Sequence, residues 1–256
     1  MSIQQEKFKA IADKIRQYLG IDDLIKPNDF SSKIDDVYDK GKQSAYDEFW
    51  DLFQQNGNRT NYQYGLSGYG WTVDTFKPKH SIKPQYANGI FMYCGVQADL
   101  GQILKDRKLT IDFSKCGNSD QMFLGSSFTA LPVLNFTSVT SQNGSTFNAC
   151  TKLTSIELIM LNDSGTQKFN ATFNSCSALT EIAFSGVIGQ SLDMKSSPLN
   201  KASIENIIEH LSSTATGMTL TLKKTAKETA FTDEEWIALI TPKSNQYDGN
   251  WTISLV

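Results

Sequence analysis

Two histidines and four cysteines are the residues of this chain best suited to chemistry. His80 stands in the loop-like run Lys77-Pro78-Lys79-His80-Ser81, and His210 falls near the end of a predicted helix, where a cation suits the helix dipole. Each reads as a non-catalytic residue. The chain contains no G-x-S-x-G, H-E-x-x-H, P-loop or G-x-G-x-x-G motif. Its acidic pairs, Asp22/Asp23, Asp35/Asp36 and Glu234/Glu235, are adjacent in sequence. Neighbouring carboxylates on a helix point in different directions, so they do not make a general acid/base pair. Asp35, Asp36 and Asp39 lack the glycine turn and terminal glutamate of a calcium loop and read as a solvated helix face. No catalytic residue, no cofactor site and no metal site is expected.

The cysteines are Cys94, Cys116, Cys150 and Cys176, and no two form a C-x-x-C pair, so zinc is not expected. Their positions become intelligible only against the elements that place them. Phe147-Asn-Ala-Cys150-Thr-Lys-Leu153-Thr-Ser-Ile156-Glu-Leu158 aligns with Phe173-Asn-Ser-Cys176-Ser-Ala-Leu179-Thr-Glu-Ile182-Ala-Phe184 at an offset of 26 residues, with six of twelve positions identical. A period of this length marks a repeat array. Within each line the final apolar residues alternate with polar ones, as in a short strand. Stacking would set Phe147 over Phe173, Cys150 over Cys176, and Ile156 over Ile182. Stacked cysteines point their Cβ atoms the same way, so they read as small buried apolar residues without a disulfide.

A degraded third line runs through Met122, Gly125, Phe128, Thr129, Leu131 and Val133 at an offset of 25. A weaker fourth opens with Phe91 and Cys94, takes an insertion, and resumes at Leu109-Thr-Ile111-Asp-Phe113. The expected core of the repeats is Phe147, Cys150, Leu153, Ile156, Phe173, Cys176, Leu179 and Ile182.

The F-x-x-C-x-x-L-T-x-I skeleton resembles the BspA-like leucine-rich repeats of bacterial surface proteins and of phages of gut bacteria, over roughly residues 89–196. The resemblance implies an α+β chain built on a short leucine-rich-repeat solenoid of stacked short strands. An N-terminal helical segment would precede it and an α/β C-terminal cap would follow. Four segments are expected: 1–57, helical, for attachment or oligomerisation; 58–90, an aromatic cap; 91–196, the repeats; and 197–256, a strand and helix cap similar to that of phage-encoded members.

In the first segment Phe8, Ile11, Ile15 and Leu19 predict a helix over 4–19, ended by Gly20. Phe30, Ile34, Val37, Gly41, Ala45, Phe49 and Leu52 predict a second, capped by Asn28 or Asp29. Such a broad apolar face must be buried. It packs within the chain or joins copies in a bundle, a homo-trimer being one form. Ile11-Ala-Asp-Lys-Ile-Arg16 followed by Ile25-Lys-Pro-Asn-Asp-Phe-Ser-Ser-Lys-Ile34 also resembles the N-terminal segment of phage tail-associated proteins.

In the last segment Lys201–Ser212 reads as a helix and Met218–Leu222 as a strand. Thr232-Asp-Glu-Glu235 reads as a capping box before a further helix, Asp248-Gly249 as a turn, and Trp251–Leu255 as a final strand.

Composition narrows the function. The formal charge of −3 gives no general attraction to nucleic acid. No apolar run approaches the ~18 residues of a membrane span, so no membrane insertion is expected. The polar start has no signal-peptide core. Together with the resemblances this leads to an expected non-enzymatic binding or structural protein of a phage particle, in a tail-associated, receptor-binding or decoration role. It would recognise a protein or a cell-surface glycan through its repeats and meet other virion proteins through its helices. The competing expectation is a bacterial surface adhesin. The candidate binding surface is Ser155, Glu157, Glu181 and Ser185 on the strands, with Tyr62, Tyr64, Tyr69 and Trp71 of the aromatic segment.

Overall fold

The computed structural model describes residues 3–21, 30–139, 144–159, 172–247 and 249–256. The chain divides into two compact units, residues 1–53 and 54–256.

The first unit is a pair of helices, α1 (Ile3–Leu19) and α2 (Phe30–Phe53). Gly41 of α2 faces Tyr18 of α1, and a Cβ there would lie in ordinary contact with the tyrosine hydroxyl, at 3.5 Å. Lys40 lies 5.2 Å over the Tyr18 ring and donates to its carbonyl, at the end of α1 where a cation is favoured. The predicted stripe of α2 is only partly covered. Val37 and Gly41 are half-buried, whereas Ala45, Phe49 and Leu52 are exposed, and so is Tyr38 beside them. The predicted cap at Asn28 or Asp29 lies outside the described residues, as do the side chains of Phe8, Phe30 and Ile34.

The second unit begins with Gln54, which is fully buried. Its amide accepts from the backbone N–H groups of Lys79 and His80, both at 2.9 Å, and donates to the His80 carbonyl at 2.7 Å. A single 3-10 turn, Gln55–Gly57, follows.

Six helices and six strands occur among the described residues. In the second unit they are α3 (Leu100–Asp106), β1 (Leu134–Asn135), β2 (Ser155–Ile159), β3 (Glu181–Ser185), β4 (Leu192–Met194), α4 (Lys201–His210), β5 (Met218–Leu222), α5 (Lys224–Ala230), α6 (Asp233–Ile240) and β6 (Trp251–Leu255). The strands make two separate three-stranded parallel sheets, β1-β2-β3 and β4-β5-β6. This corrects the expectation of a leucine-rich-repeat solenoid: the fold is α+β with two small sheets, and no stack of strands runs through the repeats.

The physical reason is at the open edge of β3. Helix α4 lies along that edge, and its side chains take the place of a fourth strand. Ser203 Oγ accepts from the Ile182 N–H at 2.9 Å. Asn206 Oδ1 accepts from the Phe184 N–H at 2.6 Å, and Asn206 Nδ2 donates to the Phe184 carbonyl at 3.3 Å. An edge satisfied in this way does not recruit another strand. β4 pairs with β5 instead, starting the second sheet. On the other side, β1 is only two residues long and the segments before it meet through isolated bridges such as Ile82 with Ile111.

What joins the repeats is a set of turns and a column of rings. Phe91, Phe123, Phe147 and Phe173 stack nearly parallel, with successive centroids 5.1, 5.6 and 5.1 Å apart. Turn amides reach the next turn's carbonyls, as in Phe91 to Met122, Phe123 to Thr146 and Phe147 to Thr172. The third line is therefore in register through Phe123, not Met122. At this turn the offset is 24 rather than 25, which puts Phe123 in the place of the stacked ring.

The cysteines serve the same column. Cys150 Sγ donates to the Phe123 carbonyl and Cys176 Sγ to the Phe147 carbonyl, each at 3.0 Å. Each thiol thus ties its own turn to the phenylalanine of the turn before. The threonine of the Leu-Thr pair does likewise at the strand entrance: Thr154 donates through its N–H and its hydroxyl to the Thr129 carbonyl, at 2.8 and 2.9 Å.

Candidate functional site

The outer face of the β1-β2-β3 sheet is the best-formed candidate. Alternation along β2 and β3 turns Ile156, Leu158, Ile182 and Phe184 inward, where all four are buried. It turns Ser155, Glu157 and Ile159, and then Glu181, Ala183 and Ser185, outward. The parallel register sets Ser155 beside Glu181 and Glu157 beside Ala183, so the two glutamates stand diagonally. Such diagonal neighbours have Cα atoms about 7–8 Å apart.

This face is concave because α4 rises beside β3. The groove between them holds about 600 Å³ and is lined by Ser155, Glu157, Glu181, Ala183, Asn200 and Asn206, with Leu131 and Val133 at its far side. Its polar groups differ in availability. Ser203 and Asn206 are committed to the edge of β3, and Asn200 caps α4 by accepting from the Ser203 N–H at 2.9 Å. Glu157 and Glu181 are exposed, and among the described residues neither forms an ion pair. The groove therefore offers two carboxylates and a hydroxyl over a small apolar floor. That inventory is suited to hydrogen-bond donors and cationic groups of a ligand on an open surface.

Of the other candidate residues, Ser185 is exposed on the same face beyond the groove, and Ile159 is its register partner. Tyr64 and Tyr69 are exposed and Trp71 is half-buried. Tyr62 is fully buried and is withdrawn from the binding surface. Its N–H donates to the Tyr86 carbonyl at 2.9 Å, and Arg59 sits 5.2 Å over its ring. Tyr69 stacks on Tyr93 with centroids 5.1 Å apart, so sequence reading missed Tyr93 as part of the aromatic edge. The eight expected core residues Phe147, Cys150, Leu153, Ile156, Phe173, Cys176, Leu179 and Ile182 are all buried.

The four thiols are buried and held in their protonated form. Burial pushes Cys94 and Cys150 up to about 12 and Cys116 up to about 11, and raises Cys176 as well. The nucleophilic thiolate is thereby suppressed. All four are free thiols. Among the described residues no group of three or more His, Cys, Asp or Glu is arranged to hold a metal ion, and no helix is long and apolar enough to cross a membrane.

A second hollow, of about 520 Å³, lies between α3, the chain at 108–111 and the Pro132–Val133 segment. Sequence reading treated this stretch only as an insertion. Asp99 accepts from the Gln102 N–H at 3.1 Å and caps α3, which carries Lys105 and is followed by Lys108 at the rim of the hollow.

Comparison with family models, with curated proteins and with solved structures gave no match for the chain.

Proposed function

We propose that this chain is a non-enzymatic recognition or structural protein of a phage particle, in a tail-associated, receptor-binding or decoration role. The helical unit attaches or oligomerises, and the second unit presents a binding surface. The observation that carries this reading is the outer face of β2 and β3. Its inner side is fully packed, whereas Ser155, Glu157 and Glu181 line an uncovered groove and make no ion pair. The N-terminal and repeat resemblances supply the phage context. The partner is a protein or a cell-surface glycan.

Two measurements test it. Particles purified from the producing strain are labelled with an antibody to the chain; labelled particles support the reading. Label on intact bacteria that make no particles overturns it in favour of a cell-surface adhesin. Second, Glu157→Lys with Glu181→Lys is expected to weaken binding of the purified chain to host cells. Unchanged binding removes this face from the function.

A further inference from the structure

Strand β6, Trp251-Thr-Ile-Ser-Leu255, is an outer strand of the second sheet and pairs with β5 on one side. The main-chain groups of a strand alternate between its two sides. The N–H and carbonyl of Trp251 turn away from β5, to the Lys243 carbonyl and the Asn245 N–H. Those of Val256 turn towards β5, to the Leu222 carbonyl and the Lys224 N–H. Alternation between these two points sends the groups of Thr252 and Ser254 to β5, and those of Ile253 and Leu255 to the open edge. Among the described residues nothing bonds to the N–H or carbonyl of Ile253 or Leu255 on that edge.

The other outer strands are sealed or short. α4 seals β3, β1 has two residues, and β4 has three, with Asp193 among them paired to Lys195. Edge strands are commonly guarded by lysine, proline or a bulge. β6 carries none of these, and its register with β5 runs unbroken from Trp251 to Leu255. Its apolar side chains are also short of neighbours. The inner face is packed at Leu192, Met194, Leu220 and Leu222 but only half-covered at Ile253 and Leu255.

We infer that β6 pairs with β6 of a second copy of this chain, antiparallel about a twofold axis at Ser254. In that register the free groups satisfy one another. Ile253 exchanges two hydrogen bonds with Leu255 of the second copy, and Leu255 exchanges two with its Ile253. Centring the pair on Ile253 would set Leu255 against Trp251, whose groups are already taken. The same register places Ile253 beside Leu255 and completes the half-covered face. A second copy is the occupant because the edge matches itself, and a twofold contact of this kind closes at two chains. The contact lies in a different sheet from the β2-β3 face, so it is independent of the role proposed above.

Ser254 then stands opposite its own counterpart at a non-hydrogen-bonded site, where Cα atoms are about 4.5 Å apart. That is within reach of a disulfide, and the four native thiols are buried. Under mild oxidation the full-length Ser254→Cys chain is expected to cross-link into covalent dimers, and Thr252→Cys alone is not. A mixture of Thr252→Cys and Val256→Cys chains should cross-link mainly as the mixed pair. Leu255→Pro removes an outward N–H and leaves every bond to β5 in place. By light scattering the concentrated wild-type chain is expected to have twice the mass of this variant, whatever the helical unit contributes to both. In hydrogen exchange the amides of Ile253 and Leu255 should slow as concentration rises, while those of Thr252 and Ser254 stay protected throughout.

Equal masses with Leu255→Pro folded, or Ser254→Cys cross-linking no faster than Thr252→Cys, overturns the inference. If Leu255→Pro does not fold, the cross-linking and exchange results decide it alone. Slowing of the Ile253 and Leu255 amides only after disrupted particles are added assigns the edge to another protein and overturns self-pairing.

Discussion

Asn206 of α4 binds both backbone groups of Phe184 of β3, accepting from its N–H and donating to its carbonyl. One amide thus does what a paired strand residue would do. Replacing Asn206 with Leu leaves both groups of Phe184 without a partner, and each such group costs about 1–3 kcal/mol. Asn206→Asp keeps the acceptor and loses the donor, so its loss is smaller. Urea unfolding read by circular dichroism should rank the two variants in that order, with little change in slope.

The ring column gives a second expectation. Phe173 is fully buried against Phe147, with the rings 16° from parallel. Phe173→Ala should destabilise the second unit by about 3–5 kcal/mol. Phe173→Leu should cost less because it refills most of the space. A change in midpoint no larger than that of an exposed substitution would show that the column is not a principal source of stability.

The thiols give a pH dependence. Their ordinary value is 9.0, and burial raises Cys94 and Cys150 to about 12. The folded chain therefore holds these protons where the unfolded chain releases them. Their stabilising contribution is complete below pH 9 and is lost as pH rises from there towards 12. The buried Tyr62 hydroxyl is also shifted upward by desolvation and acts in the same direction. Urea midpoints should fall on the alkaline side of about pH 9, and the fall should be shallower in Cys150→Ala. At neutral pH a thiol reagent should modify none of the four in the folded chain and all of them in denaturant.

Two glycines sit under tyrosine rings. Gly89 has φ +58° and Gly125 φ +63°, and a Cβ at either would overlap the ring of Tyr64 or Tyr93 respectively. Gly89→Ala should cost about 1–3 kcal/mol through strain and displacement of the ring. In the background of Tyr64→Ala the cost should shrink, since only the backbone strain remains. A double-mutant cycle measures that difference directly.

Much of this architecture was legible in the sequence, and the limits have physical causes. The Phe-x-x-Cys and Leu-Thr-x-Ile positions stood out because burial, the thiol bond and the threonine bond each demand a particular residue type. The capping box at Thr232 was legible for the same reason, and both of its reciprocal bonds are formed. Strand pairing was not. Alternation says that a strand has two faces; it does not say which edge meets which neighbour. Ser203 and Asn206 look like ordinary polar residues of an amphipathic helix, so nothing announced that α4 would close the edge of β3. Helices α3 and α5, seven residues each, are too short to show a periodic stripe. Tyr62 and Tyr64, two residues apart, would share one face of a strand, but Tyr64 has left-handed backbone (φ +52°), so Tyr62 is buried while Tyr64 is exposed. The groove depends on the same unread step, because its wall is α4.

The closure of β3 by α4 has a bearing on how such a chain can change over generations. The side-chain hydrogen bonds of Ser203 and Asn206 to this edge go to main-chain atoms of Thr180, Ile182 and Phe184. These hydrogen bonds do not depend on which side chains stand at 182 and 184, although the buried Ile204, Ile207 and Ile208 of the same helix still need an apolar surface to pack on. Whole units can be duplicated or deleted upstream by recombination between the similar lines, and the same helix will still seal whichever strand comes last. Array length and surface pattern are then free to diversify while the end piece is inherited intact.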